Sequence, residues 1–129
     1  MITDELYERG LAIRREMFGA EGAEAQVEST TDFTDKLQDI ITRNCFGDIW
    51  SRPGLTRRER SLITVAMLVA LGRPNQVAVH LRGAVANGVT PTEVRELLLH
   101  AHLYCGIPAM VDGFATASKI LGDDLTMED

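Results

Sequence analysis

The sequence has few basic residues and no long apolar run, and each shortage excludes a class of protein. Its 13 lysines and arginines are outnumbered by 19 aspartates and glutamates, which gives a formal net charge of −6 at pH 7. Nucleic-acid binding calls for a clustered basic surface, so this charge argues against nucleic acid and against an anionic membrane as partner. No apolar run reaches the ~18 residues that a transmembrane helix needs. We therefore expect a protein that binds neither nucleic acid nor membrane.

Cysteine and histidine are also scarce. The two cysteines, Cys45 and Cys105, lie far apart without CxxC spacing, which is typical of buried, reduced thiols in a cytosolic protein. The three histidines form no HExxH or comparable ligand set, so we expect no bound metal. The first ten residues, MITDELYERG, are acidic and lack the apolar stretch of a secretory signal. These features predict a cytoplasmic protein.

Helical periodicity is abundant. Apolar residues recur at helical spacing over residues 3–18 and 32–50, and a shorter helix is expected over 22–29. The breakers SRPG, GRP, NG and GIP separate these from later helices, the last covering about 107–121. No stretch shows sustained period-two alternation. We predict one domain over residues 1–129, all-α, with six or seven helices in an orthogonal bundle.

Helix boundaries carry capping signals in the second half of the chain. Thr56 and Glu59 form a T-x-x-E capping box before RSLITVAMLVAL. That run is apolar on nearly all sides, which predicts a central, buried helix. Thr90 and Glu93 form a second box. Gly88 suits the left-handed position that ends the helix before it.

One histidine lies at the edge of the apolar stripe of the helix that starts near residue 74. Gln76 and Arg73 precede His80 by four and seven residues, offsets that place all three on one side of the helix. An imidazole titrates near neutral pH, so His80 can act as a general acid or base. The alternative is an interior histidine with satisfied hydrogen bonds.

Four arginines crowd the start of the central helix. Arg52, Arg57, Arg58 and Arg60 all lie within nine positions. The helix dipole disfavours cations in the first turn by a few tenths of a kcal/mol each, roughly, so something should compensate. One interpretation is a solvated surface paired with Glu59. The other is that one or two arginines bind an anionic ligand or an acidic subunit face, since a guanidinium binds carboxylates in bidentate fashion.

The only tryptophan lies in NCFGDIWSRPGL, residues 44–55, just before this arginine cluster. Trp50 is either a core residue or a wall of a substrate site. Asp48 either caps a turn or pairs with an arginine. Both therefore remain candidate site residues.

Several segments resemble the carboxymuconolactone decarboxylase family, namely GDIWSRPGL, RSLITVAML, HLRGA with NGVT, and YCGIPA. The resemblance extends from YERG near the N-terminus to about Leu121. It implies the fold of the alkylhydroperoxidase D-like proteins, which carry C-x-x-C-x-x-x-H on the equivalent helix. Here His80 occupies the histidine position, Arg73 and Gln76 occupy the cysteine positions, and Ser61 stands where an acidic residue is expected. The thiol redox apparatus is therefore absent.

The resemblance implies a decarboxylation in protocatechuate catabolism. The substrate would be a butenolide dicarboxylate with a carboxylate and a carboxymethyl arm on one ring carbon, and the products the β-ketoadipate enol-lactone and CO2. The conjugated lactone carbonyl takes up the electron pair, so the resemblance implies no cofactor and no metal. It also implies a homo-oligomer, a trimer or a hexamer.

The resemblance assigns roles to the candidate residues. His80 is expected to be the general acid, and Arg52, Arg58 and Arg73 are candidates for substrate carboxylate binding. Supporting substrate contacts are expected from Gln76, Asp48 and Trp50. Three other functions stay open: a decarboxylase for another lactone or β-keto acid, a thiol-dependent peroxidase-like redox protein, and a non-enzymatic assembly protein.

Overall fold

The computed structural model describes residues 4–122, 125 and 127. Within those residues the secondary structure consists of seven α-helices and one π-helical segment, without strands, which confirms the all-α prediction. The elements are α1 (Glu5–Phe18), α2 (Ala20–Glu28), α3 (Asp35–Ile40), the π-helix (Ile41–Ile49), α4 (Arg57–Leu71), α5 (Pro74–Ala86), α6 (Pro91–Cys105) and α7 (Ile107–Leu121). None of the described helices is both long and apolar enough to cross a membrane.

The helices form two compact units, which divide between Thr56 and Arg57. The first unit contains α1 to α3 and the π-helix, and the second contains α4 to α7. That the whole chain is one domain stays a prediction, and the two units are described in turn.

The first unit has a small aromatic core between α1 and the π-helix. Ile13 and Met17 of α1 pack with Phe46 and Trp50, all four buried. The rings of Phe46 and Trp50 lie 5.7 Å apart, centroid to centroid, and Phe18 meets Phe46 edge to face at 5.8 Å. Trp50 is thus a core residue of this unit.

The helix predicted over residues 32–50 is present, but its second half has π geometry. The change begins at Ile41, one residue before Thr42, whose carbonyl faces Gly10 of α1. A Cβ at Gly10 would lie 1.8 Å from that carbonyl oxygen, and a Cβ at Gly47 would lie 2.4 Å from the Leu6 carbonyl oxygen. The two helix backbones therefore approach so closely that only glycine fits at either point.

In the second unit, α4 packs against α5, α6 and α7. The predicted capping box of α6 is confirmed, because Thr90 Oγ1 accepts from the Glu93 amide at 3.1 Å and a Glu93 carboxylate oxygen accepts from the Thr90 amide at 2.9 Å. Gly88 has a φ of 89°, as its predicted left-handed position requires. Buried apolar residues fill the space between the four helices: Val65, Val69, Val77, Leu81, Ala84, Val94, Leu98 and Ala117.

The prediction that α4 is buried on nearly all sides is wrong for one of its faces. Its buried residues are Ser61, Val65 and Val69. Ile63, Met67 and Leu71 recur every fourth residue and are 39%, 59% and 68% exposed. The contacts with α5, α6 and α7 cover one face of α4, and an apolar stripe remains on another.

The prediction of two buried thiols is wrong for Cys105. Cys105 ends α6 and is exposed, whereas Cys45 of the π-helix is half-buried. Both cysteines are free, as predicted. Burial raises the pKa of the Cys45 thiol, which disfavours the nucleophilic thiolate.

Candidate active site

Three of the predicted residues lie in α5 or immediately before it. Pro74 occupies the first helical position, where its fixed φ and missing N–H are tolerated, and Arg73 immediately precedes it as the N-cap residue. Gln76 and His80 follow on the helix four residues apart, so their side chains are neighbours on the same side of α5. The spacing argument applies to Gln76 and His80, whereas Arg73 lies before the first helical residue in a non-helical conformation, so the common side of all three stays a prediction.

His80 is half-buried, and burial lowers the pKa of its imidazole because desolvation disfavours the charged form. The side chain is therefore mainly neutral at neutral pH before any ligand binds. A neutral imidazole accepts protons, and it becomes an acid when a nearby negative charge raises its pKa again. A carboxylate substrate would supply that negative charge.

Arg73 lines a cavity of about 270 Å³ formed by the end of α4, the start of α5 and one side of α7. Asp112 and Thr116 of α7 supply the other polar side chains, and the apolar wall includes Val69 and Val77. The guanidinium of Arg73 makes no ion pair or hydrogen bond with the described residues. It is therefore available to a carboxylate at the mouth of this cavity.

A second depression, of about 330 Å³, shares Gly72, Arg73 and Pro74 with the first. It is lined by residues 72–76, so Arg73 and Gln76 both contribute to it. Arg73 thus borders both spaces, and Gln76 adds an amide that can donate to or accept from a polar ligand. His80 is one helical turn beyond Gln76.

Arg58 is engaged within the second unit. It forms an ion pair with Glu93, whose carboxylate also completes the capping box of α6. The pair connects the first turns of α4 and α6. A substrate carboxylate would have to compete with Glu93 for this arginine, so its predicted binding role is less favoured than that of Arg73.

The remaining candidates all lie in the first unit. Asp48 is exposed on the π-helix, and its backbone carbonyl accepts from the Ser51 hydroxyl at 3.1 Å. Trp50 is 7% exposed, which leaves little of the ring for a ligand to contact. Arg52 is exposed in the segment after the π-helix. Their predicted substrate contacts stay predictions.

Sequence reasoning missed Asp112 and Thr116. A signal for Asp112 was present in the sequence. It is the only carboxylate of the mostly apolar helix IPAMVDGFATASKIL. No sequence pattern placed it beside Arg73, since that requires the packing of α7 against α5. In the described part of the chain, no group of three or more histidine, cysteine, aspartate or glutamate residues could hold a metal ion.

A profile of the carboxymuconolactone decarboxylase family matches residues 35–119. The chain belongs to this family. It is 41% identical to the 4-carboxymuconolactone decarboxylase of Acinetobacter baylyi over 123 residues, which cover 95% of this chain and 92% of that protein. It is also 36% identical to the nitrosuccinic acid decarboxylase of Metarhizium robertsii, over 92% of this chain and 82% of the relative.

These relatives confirm the family expectation from the sequence and identify the chain as a carboxy-lyase. The two named relatives act on different acids, so the family accommodates more than one carboxylate substrate on related sequences. The alternative of a thiol-dependent redox protein is not favoured.

Proposed function

We propose that the chain decarboxylates 4-carboxymuconolactone and yields the β-ketoadipate enol-lactone and CO2. The observation that carries this proposal is the 41% identity to the Acinetobacter baylyi enzyme over 95% of the chain. The cytoplasmic location expected from the sequence is kept as part of the same proposal.

The reaction is a loss of CO2 driven by the lactone. The carbon–carbon bond to the leaving carboxylate breaks, and its electron pair moves through the ring double bond to the lactone carbonyl. The resulting dienolate takes a proton on the ring carbon next to that carbonyl. The protein must therefore bind the remaining carboxylate, stabilise a negative oxygen and deliver one proton.

Arg73 is the group best suited to bind the remaining carboxylate. It borders the cavity beside α7, and it has no competing partner among the described side chains. A charge-assisted hydrogen bond of this kind contributes about 1.5–3 kcal/mol. Arg52 and Arg58 are the other candidates, and Arg58 is already paired with Glu93. Gln76 is a candidate donor to the dienolate oxygen.

His80 delivers the proton in this proposal. Binding of the dianionic substrate raises the lowered imidazole pKa, so the imidazolium forms when an acid is needed. After transfer to the ring carbon, the neutral imidazole takes up a proton from solvent. General acid catalysis of this kind contributes about 10²–10⁴ in rate.

Turnover of 4-carboxymuconolactone, made in situ by the preceding cycloisomerase, tests the proposal. CO2 release and enol-lactone formation are followed for the wild type, His80→Ala and the matched control His100→Ala, which changes an exposed histidine of α6. We expect His80→Ala to lose at least ~10² in kcat and the control to keep its activity. Full activity in His80→Ala removes the proton role, and an inactive, folded wild type refutes the substrate.

We also propose that the chain forms a homo-oligomer, a trimer or hexamer as the resemblance implies. The support is a set of large apolar residues of the second unit that are exposed in the single chain, since exposed apolar residues in number are typical of protein interfaces. Its members are Ile63, Met67, Leu71, Leu103, Tyr104, Ile107 and Val111. Sedimentation of the wild type and of Met67→Lys tests it. We expect the variant to sediment as a smaller species, and a monomeric wild type contradicts the proposal.

A further inference from the structure

Arg14 of α1 is a charged side chain that the first unit encloses almost completely, with 2% of its surface exposed. One terminal nitrogen donates to Thr42 Oγ1 at 2.8 Å. The other donates to the side-chain carbonyls of Gln26 and Gln38, the latter at 3.1 Å. All three acceptors are neutral, so these contacts leave the cationic charge uncompensated. A buried cation without an anion is costly, which makes this arrangement unusual.

The carboxylates of the surrounding helices do not compensate Arg14. Three of them are paired with other arginines: Asp4 and Asp39 with Arg43, and Glu24 with Arg15. In the portion of the chain that is described, Arg14 itself has no ion pair. The thiol of Cys45, close enough to interact electrostatically, is kept neutral because burial raises its pKa. The desolvated guanidinium has a lowered pKa for the same physical reason.

The cluster has more hydrogen-bond donors than acceptors. The Nε–H of Arg14 is buried without an acceptor among the described residues. Gln26 and Gln38 each accept from Arg14 through the amide oxygen, and the NH2 group of each amide has no acceptor among the described residues. Gln26 and Gln38 are only half-buried, so these amides form the side of the cluster that solvent reaches. A cation surrounded by unused N–H donors is the arrangement that binds an anion.

We propose that Arg14, Gln26 and Gln38 form a binding site for one small monoanion, either a halide or the carboxylate group of a small organic acid. The anion accepts from the Nε–H of Arg14, beside the edge on which a guanidinium binds carboxylates. The NH2 groups of the two half-buried glutamine amides supply further N–H donors. The site belongs to the first unit and does not depend on the proposed reaction.

Chloride binding to the full chain is the first test. ³⁵Cl NMR line widths are measured in isethionate, a bulky supporting anion, and the bound chloride is then displaced with formate. We expect excess broadening in the wild type and in the control Arg15→Gln, and its loss in Arg14→Gln. The dissociation constants of formate and chloride are then compared. If formate binds more tightly, the favoured anion is a carboxylate, and if chloride binds more tightly, it is a halide. The absence of excess broadening in the wild type, with no effect of formate on its unfolding, refutes the site.

Gln38→Glu keeps the test decisive if Arg14→Gln does not fold. The new carboxylate would supply the anion from within the chain, so the unfolding midpoint should rise without added salt and no longer respond to chloride. For the wild type at constant ionic strength, the unfolding equilibrium constant should fall about tenfold for each tenfold rise in the binding anion above its dissociation constant. Gln76→Glu in the second unit is the control for added charge. A Gln38→Glu variant that still responds like the wild type contradicts the proposal.

Discussion

The two units of the chain are stabilised in different ways. The first unit has four fully buried apolar residues in its aromatic core, a glycine contact between two backbones, and a buried arginine that connects α1 to α2, α3 and the π-helix. The second has a larger aliphatic core and a capped helix, with Arg73 exposed immediately before α5 and His80 half-buried in the middle of that helix. Buried polar contacts therefore help to stabilise the first unit, whereas the second unit is stabilised mainly by its aliphatic core.

A matched pair of glycine substitutions should have the largest effect and should destabilise the two units unequally. In Gly10→Ala the new methyl group meets the Thr42 backbone carbonyl oxygen at 1.8 Å, which cannot be relieved by a side-chain movement. In Gly113→Ala the nearest atom is the end of the Leu98 side chain at 2.5 Å, which can rotate away. Overpacking costs about 1–3 kcal/mol and sometimes more, so we expect Gly10→Ala at or above that range and Gly113→Ala at its lower end.

Urea unfolding of both variants, followed by circular dichroism, measures this difference. The tryptophan fluorescence of Trp50 reports the first unit separately, because Trp50 is the only tryptophan of the chain. Equal losses in the two variants would show that the backbone contact of the first unit is no tighter than the side-chain packing of the second.

A second pair of substitutions separates the arginines of the second unit. Arg73→Gln removes the cation that borders the cavity, and Arg58→Gln removes one that pairs with Glu93. We expect Arg73→Gln to raise KM about 10–100-fold, the equivalent of roughly 1.5–3 kcal/mol of carboxylate binding. Arg58→Gln should leave KM nearly unchanged and lower stability by less than about 1 kcal/mol, since its ion pair is partly exposed.

Steady-state kinetics on 4-carboxymuconolactone decides between the two arginines. The reverse result, with KM raised by Arg58→Gln alone, would mean that the substrate takes Arg58 from Glu93. It would also restore the predicted carboxylate role of Arg58.

Removing the cap of α6 should have a smaller effect. Thr90→Ala deletes the hydroxyl that accepts from the Glu93 amide, a loss worth about 1 kcal/mol for a helix N-cap. Thermal unfolding should show a lower midpoint with unchanged kinetic constants, because the cap lies outside the residues that border Arg73. Thr92→Ala, two residues on, is the control for losing a threonine of the same helix without losing the cap.

The fold was largely predictable because its signals are local. The last helix was predicted over about 107–121 and is observed from Ile107 to Leu121, and the cap of α6 was identified from its sequence alone. The π geometry of Ile41–Ile49 was not predicted, since nine residues are too few for hydrophobic spacing to distinguish π from α. The sequence also could not show that Arg14 is buried and the adjacent Arg15 is not, because this depends on which elements pack against α1.

The candidate site was predictable only where it lies on one helix. Gln76 and His80 share a side of α5 because of their spacing, which is visible in the sequence, and Arg73 directly precedes the helix. Asp112 and Thr116 join Arg73 through the packing of α7, which no spacing rule could supply. The pKa of His80 is lowered by tertiary burial, which the sequence does not show. The sequence therefore predicted a general acid, but not that a bound substrate would have to raise the imidazole pKa first.

The pH dependence of catalysis tests whether the bound substrate raises the pKa of His80. In the free enzyme the imidazole pKa of His80 is lowered, so kcat/KM should fall as pH rises through a value below the ordinary ~6.5. In the substrate complex the bound carboxylates raise the pKa, so the fall of kcat should occur at higher pH. The free energy of unfolding depends on pH in the opposite direction. As pH falls, the unfolded chain takes up the His80 proton before the folded chain does, so stability decreases below pH ~6.5 and becomes constant below the folded pKa.

Rate profiles between pH 5 and 8, with urea unfolding of the wild type and His80→Gln at the same pH values, measure both effects. The difference in unfolding free energy between the two proteins should shrink or reverse toward low pH, because only the wild type carries the titrating group. The other two histidines, His100 and His102, are present in both proteins and cancel in this difference. Coincident profiles for kcat and kcat/KM would mean that substrate binding leaves the His80 proton unaffected, and the acid would then have to be sought among other residues that face the substrate.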